Sequence, residues 1–111
     1  MNINFKATNT ELSEAIKSAV TEKLGSLDKF ASPENHASVE LEHLSYSTEA
    51  GDHRIEILIA PNSYFAEAIG TDFYQALDSA IPKIADQMKK SKEKKVGLRR
   101  RMGNIWKRFT E

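Results

Sequence analysis

Apolar and polar positions along this chain alternate first with the period of a strand, then with that of a helix. Ile3, Phe5 and Ala7 alternate with Asn4 and Lys6, which predicts a short strand with one buried face. Thr8 and Glu11 have capping-box spacing, so a helix is expected from Thr10 to Phe30. Its apolar stripe is Leu12, Ile16, Val20, Leu24 and Leu27, with Ala15 and Ala19 alongside. Gly25 costs that helix about 1 kcal/mol relative to alanine, so it marks either close packing or an early end. Ala31 to His36, with Pro33 and Asn35, reads as a loop.

Three strands come next. Val39, Leu41 and His43 alternate with Glu40 and Glu42 over 37–45; Ile55, Ile57 and Ile59 alternate with Arg54, Glu56 and Leu58 over 53–60. Over 64–70, Tyr64, Ala66 and Ala68 share one face, and Phe65, Glu67 and Ile69 the other. Gly51-Asp52 and Pro61-Asn62-Ser63 supply turns, which predicts an antiparallel meander. Thr71 to Lys95 then returns to helical spacing, with Phe73, Leu77, Ala80, Ile81, Ile84 and Met88 on one stripe and Asp72 placed as the N-cap. Pro82 falls within this helix but projects away from the stripe, where a solvent-side bend costs less than a break.

The expected fold class is α+β, in the order β-α-β-β-β-α, with a four-stranded sheet and both helices packed on one face. Glu40, Glu42, Glu56 and Glu67 then point outward from the open face. An acidic face of that kind is a poor platform for RNA. His43 takes an inward position, and neither it nor His36 and His53 shows metal-ligand spacing, so a hydrogen-bonded or edge histidine is expected.

Net charge changes the picture most. The chain of 111 residues carries 16 basic and 16 acidic groups, a balance of zero. Through Pro82 there are 5 Lys and Arg against 13 Asp and Glu; from Lys83 onward there are 11 against 3. That asymmetry points to a polyanion-binding segment on a scaffold that repels polyanions elsewhere. With no cysteine, a disulfide framework or thiolate site is excluded. No apolar run approaches membrane-spanning length and the N-terminus has no signal-peptide pattern, so a cytoplasmic location is expected. No catalytic constellation or phosphate loop is present either, and neither enzymatic activity, a cofactor nor a metal is expected.

Particular residues carry a resemblance. Asp72-Phe73-Tyr74-Gln75-Ala76-Leu77-Asp78, followed by Lys83-Ile84 and Gln87-Met88-Lys89-Lys90-Ser91-Lys92-Glu93-Lys94, resembles the second helix of the short ribosome hibernation-promoting factor / ribosome-associated inhibitor (sigma-54 modulation protein) family. Lys23-Leu24 and Leu27-Asp28-Lys29-Phe30 are similar to its first helix. The likeness covers residues 1 to about 95. It implies a double-stranded-RNA-binding-domain-like fold that is not an enzyme. It also implies binding to the small ribosomal subunit near the mRNA and tRNA sites, silencing ribosomes in stress or stationary phase. The lysines that the resemblance turns toward ribosomal RNA are Lys23, Lys83, Lys89, Lys90, Lys92 and Lys94. Ala7 departs from the family, which often has glycine there.

The division expected is a ribosome-binding domain over 1–95 and a basic amphipathic tail over 96–111. Lys95 and the tail's Arg99, Arg100 and Arg101 add to the candidate RNA-binding set. Leu98, Met102, Ile105, Trp106 and Phe109 give the tail an apolar side, weakened by Gly97 and Gly103. It can fold on ribosomal RNA, lie on a membrane surface, or pack on the domain or a second copy. The partner expected is the small subunit and its RNA, with ribosome dimers possible and a membrane role disfavoured. Two other functions compete: a general RNA-binding or RNA-chaperone module, and an adaptor docking through the tail.

Overall fold

The computed structural model of the chain describes residues 1–110, with side chains described through residue 91. Elements follow in the expected order: β1 (Asn2–Thr8), α1 (Glu14–Gly25), β2 (His36–Thr48), β3 (Gly51–Ala60), β4 (Tyr64–Gly70) and α2 (Phe73–Thr110), with a 3-10 turn at Asp28–Phe30. The strands lie side by side in chain order. β1 runs parallel to β2, which the α1 crossover permits, and β2, β3 and β4 form the antiparallel meander.

Register turns the alternation of each strand into rows across the sheet. Phe5, Val39, Ile57 and Ala66 make one row, and Ala7, Leu41, Ile55 and Ala68 the next. These rows face both helices. Ile16, Val20 and Leu24 of α1 join Ala76, Leu77, Ala80, Ile84 and Met88 of α2 in a single buried cluster with the residues of these rows on β2, β3 and β4. Phe5 packs against it half-buried, and Ala7, expected on the buried face, is exposed at the end of the edge strand. Burying each large aliphatic side chain contributes about 1.5–3 kcal/mol, so the stripes, rather than helix propensity, hold α1 and α2 in place. α2 lies mainly over β4 and β3, where Ala66 and Ala68 leave room for a close approach.

The boundaries of α1 differ from expectation. Thr8 ends β1 and Asn9 turns the chain at a φ of 56°, a left-handed conformation that asparagine tolerates, so no helix can start at Thr10. Ser13 is the cap instead: its hydroxyl accepts the Ile16 N–H at 3.2 Å. The helix stops at Gly25, and Leu27 still reaches the core through the tighter 3-10 turn.

The β2–β3 turn also moves. It falls at Glu49-Ala50 rather than Gly51-Asp52, after a register shift between His43 and Thr48 lengthens β2. Thr48 Oγ1 accepts the N–H groups of Ala50 and Gly51, each at 3.2 Å, and donates to the Gly51 carbonyl at 2.7 Å. Gly51 has a φ of 132°, and a Cβ there would lie 2.0 Å from the Gly70 carbonyl oxygen. Only glycine fits.

Asp72 caps α2 as expected, its Oδ1 accepting the Gln75 N–H at 2.8 Å. The helix continues through Pro82, which is exposed, and past Lys95 to Thr110. Three of its side chains then run along the free edge of β4. Gln87 accepts the Phe65 N–H at 2.9 Å and donates to the Phe65 carbonyl at 2.6 Å; Lys83 donates to the Glu67 carbonyl at 3.1 Å; Gln75 accepts the Thr71 N–H at 2.6 Å. Residues 75, 83 and 87 are multiples of four apart, on one ridge of the helix. This ridge covers part of the free edge of β4, at Phe65 and Glu67.

At the other end of the meander, Asn35 is the buried polar side chain of the core region. It accepts the Ser32 N–H at 2.8 Å and donates to the Ala60 carbonyl and Asn62 Oδ1, tying the loop before β2 to the β3–β4 turn.

Glutamates dominate the charge of the open face, with Arg54 at their centre and Leu58 and Phe65 exposed beside them. Arg54 donates to Glu40, Glu42, Glu56 and Glu67 from a side chain only 15% exposed. Desolvation opposes its charge, but hydrogen bonds to Glu67 and Glu56 more than compensate and hold its pKa above the usual guanidinium value. Lys6 reaches Glu40 from β1 at 3.4 Å.

Two substitutions test this account. Gly51→Ala is expected to lower the unfolding free energy by more than about 1 kcal/mol in urea titration, since the native φ and the Gly70 carbonyl both exclude a methyl group. Gln87→Ala should cost about 1–2 kcal/mol and speed aggregation of the concentrated protein, measured by light scattering, because it bares the Phe65 amide and carbonyl.

Candidate nucleic-acid interface

A surface for a polyanion needs cations whose ammonium groups are not already satisfied, on a support that fixes their spacing. α2 supplies the support. Its stripe from Leu77 to Met88 is buried, so the polar positions between are fixed in direction by the same packing. The described part of the helix changes character near residue 88: Gln75, Lys83 and Gln87 bond to the chain at and after β4, whereas Lys89 and Lys90 are exposed.

The sequence-predicted lysines fall on both sides of that change. Lys83 sits at the β4 edge with its amine on the Glu67 carbonyl, so part of its hydrogen-bonding capacity is spent within the fold. Lys89 is exposed and forms no ion pair among the described residues. Lys90 is exposed and pairs with Asp86 one turn back at 3.0 Å, a solvent-screened contact that a stronger anion displaces at little cost. Lys23 is exposed in the last turn of α1. The side chains of Lys92, Lys94, Lys95, Arg99, Arg100 and Arg101 lie outside the described residues, as do those of the predicted tail over 96–111. The structure thus sets Lys89 and Lys90 side by side on α2 and places Lys23 on the neighbouring helix.

A groove that the chain's pattern did not announce lies against Met88 and Ser91 of α2. It holds about 180 Å³ between the 3-10 turn and α2, and its walls include Lys29, Ser32, Asn62, Tyr64 and Ser91. Asn35, which ties together the two loops on one side, is at its base. Lys29 lies over the Phe30 ring, 5.2 Å from its centroid. These groups are hydroxyls, amides and one cation, all suited to phosphate and sugar oxygens. Lys29 was legible only as part of the first-helix motif, and nothing in the spacing of Ser32 and Asn62 foretells that they meet Ser91.

The opposite surface repels the same ligands. Four glutamates around Arg54 leave the open sheet face with an excess of negative charge. Among the described residues, no helix is long and apolar enough to cross a membrane.

One further cluster stands apart, at the turn end of the meander. His43 and His53 are directly opposed across β2 and β3, with ring centroids 4.7 Å apart and planes inclined by 23°. Asp52 bridges them, Oδ2 to His43 Nε2 at 2.9 Å and Oδ1 to His53 Nδ1 at 2.7 Å. His43 is therefore hydrogen-bonded, as expected, but its side chain is exposed rather than buried. His36 lies at the far end of β2, near the Glu34 carbonyl. The His43 hydrogen bond is the largest influence holding the Asp52 carboxyl below its ordinary range, against a smaller opposing effect of desolvation.

Comparison with known proteins agrees with this architecture. Residues 3–96 match the model of the sigma 54 modulation protein / S30EA ribosomal protein family. The chain is 31% identical over 96 residues to the ribosome hibernation promoting factor of Escherichia coli strain K12, covering 85% of this chain and 96% of that protein. It is 28% identical over 94 residues to the ribosome hibernation promotion factor of Bacillus subtilis, of which it spans about half, 50%. Among solved structures, the N-terminal domain of Thermus thermophilus Protein Y superimposes with a TM-score of 0.67 at 31% identity, over 81% of this chain and 98% of that one. A ribosomal subunit interface protein from Coxiella burnetii shares the fold, with a TM-score of 0.65 at 16% identity over 84% and 99% of the two chains. With the family match spanning all four strands and both helices up to residue 96, the chain belongs to the sigma 54 modulation protein / S30EA ribosomal protein family.

Proposed function

We propose that this protein is a ribosome hibernation factor that binds the small ribosomal subunit near the mRNA and tRNA sites and inhibits translation under stress or in stationary phase. The observation that carries the reading is the partition of charge along α2. Its first half is fixed to an acidic domain, while its basic second half follows Met88, the last buried residue among those described. Membership of the family and the likeness to ribosome hibernation promoting factors support the ribosome as the partner.

The residues assigned to the interface are Lys23, Lys83, Lys89, Lys90, Lys92, Lys94, Lys95, Arg99, Arg100 and Arg101. Lysine amines position a protein on phosphates without reading sequence, which suits a ligand recognised as one large shaped cavity. The acidic sheet face turns away from RNA and fixes which side of the domain docks. Lys83 acts partly through the fold, since its bond to β4 orients the ridge from which the other lysines extend. The division into a domain over 1–95 and a basic segment over 96–111 belongs to the same proposal, with the segment continuing the interface. No catalytic role is assigned to any residue.

Sedimentation through a sucrose gradient tests the proposal. The protein is expected to travel with small subunits at low salt and to inhibit cell-free translation, and Lys89, Lys90, Lys92 and Lys94 changed together to glutamate should abolish both. Retained binding by that variant would overturn the helix-face mechanism, and equal competition by arbitrary duplex RNA would favour a general RNA-binding module. The logarithm of the binding constant should fall linearly with the logarithm of salt concentration, and Lys89→Ala should reduce the slope by about 0.7–0.9, the release from one phosphate contact.

A further inference from the structure

His43, Asp52 and His53 have no part in the interface just described. They lie on the β2–β3 hairpin and belong to the elements rather than to the turn. Each offers one ligand atom, and these atoms all lie within 4.8 Å of one another. We propose that His43, Asp52 and His53 form a binding site for a divalent transition-metal ion of the zinc type.

The donor set fits that chemistry. Two imidazole nitrogens and one carboxylate oxygen are borderline ligands of the kind that hold zinc with a fourth position open to water or another donor. Ligand atoms in a tetrahedral site with bonds of about 2.0–2.2 Å stand about 3.3 Å apart. The contacts of Asp52, at 2.9 Å and 2.7 Å, need to lengthen by only a few tenths of an ångström. Rotation of the two imidazoles about their side-chain bonds closes the remaining separation.

The backbone brings the ligands together before any ion arrives. Opposed positions on antiparallel strands hold their Cβ atoms about 4.5–5.5 Å apart, so the pair is fixed by register rather than by a flexible loop. Asp52 follows Gly51, whose φ of 132° no other residue type readily takes, and that turn of the backbone sets the carboxylate between the rings. Access is open: side-chain exposures are 45% for His43, 32% for Asp52 and 26% for His53.

His53 also supports the cluster from behind. Its ring packs edge-on against Phe73, the first residue of α2, with centroids 4.7 Å apart. An ion at this site would be held by β2 and β3 alone, with the start of α2 beside it. A metal bound only to the folded chain shifts the folding equilibrium by mass action.

The test uses the untagged full chain, stripped with chelator and titrated with zinc chloride, with magnesium chloride as the comparison. One saturable zinc site is expected by calorimetry, with no heat from magnesium. At zinc about 100-fold above the dissociation constant, the folded-to-unfolded ratio in urea should rise about 100-fold. His43→Gln, Asp52→Asn and His53→Gln should each weaken binding at least about tenfold, following the loss expected for disturbing a metal's coordination, while His36→Gln leaves it unchanged. Nuclear magnetic resonance of the wild-type imidazoles gives a readout independent of variant folding: zinc should shift the resonances of His43 and His53 and leave those of His36. Absence of a saturable zinc site, or shifts at His36 in place of the other two, overturns the assignment.

Discussion

Everything in this fold depends on how closely α2 can lie on the last strand. Ala66 and Ala68 keep that face of β4 low, and Leu77, Ala80 and Ile84 fill the space above it. The close approach does more than bury apolar surface. It brings Lys83 and Gln87 within hydrogen-bonding distance of the strand's own Phe65 and Glu67, and Gln75 onto the Thr71 amide just after it. Helix and strand are thus joined by both dispersion and hydrogen bonds, and the direction of the helix beyond residue 88 is inherited from that double attachment.

The two faces of the sheet then take opposite roles. One is filled by the helices, so charge is excluded from it. The other must satisfy four glutamates in a small area, and Arg54 does this from the centre by sharing its donors among them. A planar guanidinium with several donors suits that task where a lysine amine would not. The remaining excess of negative charge gives the domain a polarity. That excess of negative charge repels a polyanion from the open face.

Much of this was legible in the sequence. Strand alternation fixed which residues of β2, β3 and β4 face inward, and the helical stripes named the core almost completely, because both periods are imposed by burial on one side. Asp72 was recognisable as a cap from its position alone. What escaped depended on long-range geometry. The capping-box pattern at Thr8 and Glu11 was locally sound but lost to the turn at Asn9 that ends β1. Gln87 read as one more polar helix position, since nothing local shows that an edge strand lies beneath it. His43 and His53 looked unrelated along the chain, and the register shift near the β2–β3 turn hid their pairing. Within the candidate interface, the lysine run was visible as charge, whereas the groove beside it joins residues from three separate loops and helices.

The ridge on β4 has a consequence for assembly. A sheet with two bare edges can add neighbours at both ends and grow without limit, which is the geometry of fibres. Here part of one edge is occupied by the protein's own helix, and β1 supplies the other. The side chains of α2 thus work against edge pairing at Phe65 and Glu67 of β4, and leave β1 as the more open edge.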